Sequence, residues 1–315
     1  MFRKALVAVS VGAMMTGVCG HLRAADAKPS PTSEEIKKIT EAMPEKAAVK
    51  PQKPRKLLVF TLTRGFPHSS VPVAAKAFEI MGQKTGAFET VVSSDIGMFE
   101  QDKLQQFDAV LMDNTTGDLF APKEKNLTPE EQKAAKTRAE LLKKNLLDFV
   151  SNGKGIAGSH AATDCLYNWK EYGDMMGGYF AGHPFRKIVV KNEDPKSAIN
   201  AAFKGEGFDI SDEMYTFREP YSREKLHILL SIDMAKTPLA DEPNKPGFKK
   251  GENRNDHDYA ISWIKEQGKG RVFYCSFGHD HQIFWKTPIL QHYLDGIQYA
   301  LGDLPADATP SAKLR

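Results

Sequence analysis

Short continuous apolar runs alternate along this chain with longer stretches in which apolar residues return every three or four positions. The first run, Leu57-Leu58-Val59-Phe60-Thr61-Leu62, has the length of a strand and no polar face, as expected of a central strand in a parallel sheet. Ser69 or Ser70 then offers a helix cap, and Pro72 suits a first turn. Val73, Ala77, Ile80 and Met81 recur at helical spacing up to Gly86. Residues 88–93 and 107–113 read as further strands. Thr128-Pro129-Glu130-Glu131 is a capping box, and Leu142, Leu146, Phe149 and Val150 mark the apolar side of a helix reaching about Ser151. This alternation predicts a parallel α/β sheet with helices on both faces, in which ligands bind past the carboxyl ends of the strands.

Residues 155–158 form a small-residue strand, and Ser159-His160-Ala161-Ala162 reads as a sharp turn into the next segment. Many α/β enzymes mount a nucleophile on such an elbow. Here its tip is His160, which suits metal binding or proton transfer better than acyl transfer. The second half is less regular. Residues 187–191 and 226–232 look like strands, 209–217 is a mixed piece, and 238–255 is a polar loop. Residues 259–265 and 271–277 flank a glycine-containing turn and predict a hairpin. Thr287-Pro288 starts a last helix, with Ile289, Tyr293, Ile297 and Leu301 on one side and Gly302 after its end. The strand-rich second half is expected to belong to the same domain, over residues 56–304.

The chain ends change this picture. Arg3-Lys4, an apolar run from Ala5 to Val18, and Ala25-Asp26-Ala27 form the pattern of a secretory signal peptide over residues 1–27, with cleavage predicted after Ala27. The protein is thus expected in the periplasm or outside the cell. A lipid-anchor reading at Cys19 suffers from Val18, where a small residue belongs. Residues 28–55 read as a linker in which Ser33-Glu34-Glu35-Ile36 offers one short helix start, and 305–315 as a disordered tail. The chain of 315 residues carries a formal net charge of +3, and losing Arg3, Lys4, Arg23 and Asp26 leaves it near neutral. Nothing in that balance favours nucleic acid, and no later stretch is apolar enough to span a membrane. Of the two remaining cysteines, Cys165 and Cys275, the expectation is two separate buried thiols.

Candidate chemistry lies in the histidines. His68, His160, His183, His257, His279 and His281 fall in predicted loops or at strand ends, whereas His292 falls within the last helix and His227 is flanked by Leu226 and Ile228. Three imidazoles can hold a divalent metal such as zinc and leave a position for water, so His68, His160 and His279 are the metal candidates. No short-spaced zinc motif supports them, and the expectation rests on topology. A loop histidine can equally cap a backbone group, and Asp212-Glu213 can equally be a surface acidic pair. Glu213 and His183 are the candidate acid–base groups. Arg64, Asn114, Asp164, Tyr215, Arg218 and His281 are candidate substrate contacts. Tyr215, with Phe66, Tyr167, Trp169 and Trp285, can stack on a sugar face or simply pack in the core.

Five stretches together resemble the ThuA-like family, named for trehalose utilisation, within the class I glutamine amidotransferase-like superfamily. They are Thr63-Arg64-Gly65-Phe66-Pro67-His68, Gly158-Ser159-His160-Ala161-Ala162-Thr163, Gly177-Gly178-Tyr179-Phe180-Ala181-Gly182-His183-Pro184, Asp212-Glu213-Met214-Tyr215, and Gly268 to Tyr274 followed by Gly278-His279. The resemblance implies a flavodoxin-like core. In the superfamily the elbow tip is a cysteine partnered by a histidine after a late strand. The matching positions here are His160 and His279, so glutamine hydrolysis is not expected, and Cys165 lies too far along to replace the missing thiol. The resemblance further implies a carbohydrate-active enzyme whose substrate is a sugar, a glycoside or the 3-keto form that a partner sugar dehydrogenase makes. The alternatives are a non-catalytic carbohydrate-binding protein on a disabled amidotransferase fold, and a metal-dependent hydrolase or isomerase of another small polar substrate. The oligomeric state is left open.

Overall fold

Five strands run parallel through the middle of the molecule: β1 (Lys56–Phe60), β2 (Glu89–Ser93), β3 (Ala109–Asp113), β5 (Gly155–Ser159) and β11 (Gly270–Cys275), in the order β2-β1-β3-β5-β11. The computed structural model describes residues 30–122, 126–237, 254 and 256–314. The expected signal peptide and all of the 238–255 loop except Arg254 lie outside the described residues. The helices are α1 (Ser33–Ala42), α2 (Val71–Thr85), α3 (Gln101–Leu104), α4 (Pro129–Ser151), α5 (Lys170–Met176) and α6 (Thr287–Leu301). Alternate strand residues face opposite cores. Leu57, Val59, Ala109, Leu111, Ala157, Phe273 and Cys275 pack beneath α1, α2 and α6. Leu58, Phe60, Val110, Met112, Ile156, Val272 and Tyr274 pack beneath α4 and α5. Burial on both faces is why these strands read as unbroken apolar runs. This is the flavodoxin-like arrangement expected from the sequence.

Beyond β11 the sheet continues antiparallel through β10 (Ala260–Gln267), β9 (His227–Ile232), β7 (Tyr179–Asn192) and β8 (Phe208–Arg218), giving nine strands among the described residues. A separate pair joins β4 (Thr116–Gly117) to β6 (Asp164–Cys165). The ribbon of β7 and β8 is longer than the sequence suggested, and it absorbs Gly182-His183-Pro184, which had the composition of a turn. Three register shifts between Phe180 and Lys187 accommodate Pro184 and bend the ribbon. The bend matters for position, because β8, at the far edge of the sheet, reaches the end of β11. There the Tyr215 N–H donates to Ser276 Oγ at 3.3 Å.

Two expectations about the chain ends are corrected. Most of the supposed linker, from Ser30 on, is docked onto the domain. Thr32 and Glu35 form a capping box that starts α1, Ile39, Ala42 and Met43 are buried against α2, and Arg55 pairs with the buried Asp303. The helix start was visible in sequence, but the apolar stripe needed to dock it is only three residues wide. The supposed tail is also fastened. Ser311 N–H donates to the Leu226 carbonyl at 2.9 Å, Ile228 N–H donates to Ser311 Oγ at 2.8 Å, and His227 Nδ1 lies 2.8 Å from the Thr309 carbonyl. Backbone pairing of this kind leaves no hydrophobic signature. No helix among the described residues is long and apolar enough to cross a membrane.

Candidate metal centre

The carboxyl ends of β1, β3, β5 and β11 deliver the loops that carry the chemistry. His160 stands directly after β5, between β3 and β11, with φ at +44°. A non-glycine residue there costs about 1–2 kcal/mol. Two bonds hold it: the Tyr274 hydroxyl donates to the His160 carbonyl at 2.6 Å, and His160 Nδ1 lies 2.8 Å from the Ser276 carbonyl. A carbonyl only accepts, so Nδ1 carries the proton and Nε2 presents its lone pair to the site. That Nε2 is buried and has no hydrogen-bond partner. Complete burial, then the neighbouring imidazoles, push the His160 pKa well down, which keeps the ring neutral and able to ligate.

Three groups face it. His68 comes from the loop after β1, with its ring 5.0 Å from that of His160 and 5.3 Å from that of His279. His279 follows β11, where Gly278 turns the chain at a φ of +128° that an L side chain resists. Glu213 arrives on β8, with Oε1 3.2 Å from His279 Nδ1 and 3.7 Å from His160 Nε2. One donor atom from each of the four residues lies within 4.8 Å of every other. A tetrahedral ion with bonds near 2.0–2.1 Å spaces its ligands by about 3.3 Å, so a small inward movement closes this set around zinc. Three imidazoles and one carboxylate also suit other first-row divalent ions. The orphaned, neutral Nε2 of His160 is the observation that makes the donor set fit a metal.

The surroundings hold the set in place. Buried Asp212 accepts from the N–H groups on either side of His279, at 2.7 Å from Gly278 and 2.8 Å from Asp280. Burial still pushes its carboxyl up to about 7 against these donors. Burial would raise Glu213 too, but the close contact with His279 and the charges of nearby histidines outweigh it and hold Glu213 low. The same contact raises His279 against its own burial. Tyr215 packs on His160 and on Phe180, with ring centroids 4.3 Å apart in each case. His183, on β7, places Nδ1 3.2 Å from Glu213 Oε2 while half its side chain stays in solvent.

The remaining candidates divide. Asp164 accepts from the Tyr167 hydroxyl, and Arg218 lies over the Tyr167 ring at 4.7 Å. Burial raises the Asp164 pKa, opposed by Tyr167 and by the charge of Arg218. Asn114 is fully buried after β3, at a φ of +50°, donating to Asp113 while its Oδ1 has no partner. Arg64 anchors its loop by donating its N–H to the Thr116 carbonyl at 2.7 Å. His281 is not among the four: Nδ1 lies 2.7 Å from Glu35 Oε1 and Nε2 3.1 Å from Ser69 Oγ. Glu35 was missed as a functional candidate because it fell in the supposed linker, although the Thr32-x-x-Glu35 pattern signalled its helix cap. Cys165 and Cys275 are separate and buried, and burial pushes each thiol up to about 12, so neither replaces the absent nucleophile.

Comparison with known proteins agrees with this fold. The chain is similar in fold to a ThuA-like protein from Bacteroides uniformis ATCC 8492, with a TM-score of 0.55 and 17% identity over 83% of this chain and 98% of that one. A ThuA-like protein from Parabacteroides merdae ATCC 43184 matches with a TM-score of 0.49 and 17% identity, over 81% of this chain and 93% of that one. A search of curated proteins finds no match. The model of the ThuA family, described as trehalose utilisation, matches residues 56–300, and the chain belongs to that family.

Proposed function

We propose that this chain is an exported carbohydrate-active enzyme that cleaves or converts a glycoside or 3-keto-glycoside by metal-assisted acid–base chemistry. The observation that carries the reading is the set His68, His160, Glu213 and His279, gathered at the strand edge where a related fold would mount a thiol. Export rests on the amino-terminal pattern of Arg3-Lys4 and the apolar run after it. A divalent ion in this set supplies Lewis-acid polarisation of a sugar carbonyl.

The chain's own residues supply the rest. Glu213 belongs to the ligand group through Oε1, whereas His183 stands outside that group, beside Oε2 and open to solvent. His183 is therefore the better proton carrier. In a 3-keto-glycoside the carbonyl acidifies the C2–H bond. His183 takes that proton, the C–H electron pair becomes the new double bond, and the bond from C1 to the glycosidic oxygen breaks. The departing oxygen takes up a proton. Tyr215, expected from the sequence as a substrate contact, is buried between His160 and Phe180, so the part-exposed Phe180 offers the aromatic face to the sugar ring, and Asp164 and Arg218 offer hydrogen bonds to its hydroxyls.

The test is metal analysis of the purified protein, followed by an assay on a 3-keto-disaccharide. Cleavage should stop on chelation and in His160→Ala. Undiminished cleavage in either case refutes the reading. Sugar binding by calorimetry without metal or turnover supports instead a carbohydrate-binding protein on the same fold.

A further inference from the structure

Beside the metal-capable cluster, but outside it, stands a second constellation. The Ser69 hydroxyl is 3.1 Å from His281 Nε2, and His281 Nδ1 is 2.7 Å from Glu35 Oε1. These residues come from three places in the chain: the loop before α2, the loop after β11, and α1. A carboxylate accepts, so the proton of His281 sits on Nδ1, and Nε2 is left to accept from the Ser69 hydroxyl. The carboxylate is itself fixed. Its Oε2 accepts from the Thr32 N–H at 2.8 Å and the Thr32 hydroxyl at 2.9 Å, which turns Oε1 toward His281. The cap of α1 thus orients the imidazole.

We infer that Ser69, His281 and Glu35 form a nucleophile, base and orienting carboxylate that hydrolyse small O-acyl esters, an activity separate from that of the metal-capable cluster. The order of groups is that of a serine hydrolase triad, which is recognised by geometry and role rather than by chain position. Ser69 is exposed, so an ester can reach it. It directly precedes Ser70, the N-cap of the fifteen-residue α2, and Ser70 makes no side-chain capping bond. In the first turn of α2, Pro72 has no N–H and the Val71 N–H donates to the His68 carbonyl at 3.4 Å, so this end offers a developing oxyanion the positive end of the helix dipole rather than a set of free N–H groups. The exposed Phe66 ring supplies apolar surface in the same loop.

The steps balance without a cofactor. Ser69 Oγ attacks the acyl carbon as its proton passes to His281 Nε2. The ester C–O bond then breaks and the departing alcohol takes that proton. Water repeats the sequence, giving its proton to His281, releasing the carboxylic acid and restoring the serine. Glu35 stays ionised and stabilises the transient imidazolium.

The test uses the whole protein with p-nitrophenyl acetate and a fluorophosphonate probe. The probe should add once, at Ser69, as seen by mass spectrometry of the intact chain and its peptides. Ser69→Ala removes only an exposed hydroxyl and leaves the His281–Glu35 contact in place. It should lower kcat/KM by at least about 100-fold and abolish labelling. Glu35→Gln should lower kcat by at least about tenfold while the probe still adds slowly at Ser69. Hydrolysis that continues unchanged in Ser69→Ala, or an adduct elsewhere, overturns the inference. So does loss of hydrolysis on chelation, which would assign it to the metal-capable cluster, whereas the glycoside reading is judged separately by the 3-keto-disaccharide assay.

Discussion

His292 offers a direct test of how this fold responds to acid. It lies on α6, fully buried, with Nε2 2.8 Å from Ser262 Oγ and Nδ1 3.1 Å from the Ile199 carbonyl. Burial, only partly offset by the bond to Ile199, pulls its pKa from 6.5 to about 4. The folded state therefore holds fewer protons than the unfolded state between pH 4 and 6.5. Stability from this residue is complete above pH 6.5 and is lost as pH falls toward 4. At about 1.4 kcal/mol per unit, the shift corresponds to roughly 3 kcal/mol, most of it already lost at pH 4.5. In His292→Gln an amide can donate to the Ile199 carbonyl, while Ser262 keeps its own bond to the Tyr274 carbonyl, and the amide does not titrate. Urea denaturation of both proteins at pH 7 and pH 4.5 isolates the term, because every other group titrates alike in the two. The parent should lose roughly 2–3 kcal/mol more than the variant over that range. Equal losses would mean that His292 is solvated or already protonated at neutral pH, and the argument from burial would fail.

Two further outcomes follow from buried groups. Arg55→Ala should destabilise the protein by about 3 kcal/mol in urea titration, because it strands the buried Asp303 carboxylate, which Arg55 Nη2 otherwise meets at 2.6 Å. A loss below about 1 kcal/mol would show that water reaches Asp303. Cys165 and Cys275, with thiols pushed up to about 12, should resist iodoacetamide in the native protein at pH 8 and react at once in denaturant. Rapid native alkylation of either would contradict their burial.

The parallel core was legible because both of its faces are buried. Residues 57–62, 107–113 and 155–158 carry no polar side, α4 begins at Pro129 as its capping box foretold, and α6 begins at Thr287, ahead of Pro288, as expected. The loops holding His68, His160 and His279 could be placed for the same reason, since a strand with no polar face must end at the sheet's carboxyl edge. Glu213 was harder. Its strand reads as mixed polar and apolar, and its sheet position lies four strands from β11. Only the irregular pairing of β7 with β8 folds it back.

Local pattern thus determined the parallel strands, the helices and the loops that carry the imidazoles, because periodicity and capping act over a few residues, whereas the order of the strands came only with the fold. Tertiary structure alone decided which side chains share a site. The meetings of Glu213 with His279, and of Glu35 with His281 and Ser69, depend on how a bent ribbon and a docked helix pack. Contacts between residues tens to hundreds of positions apart leave no trace in the spacing of either segment.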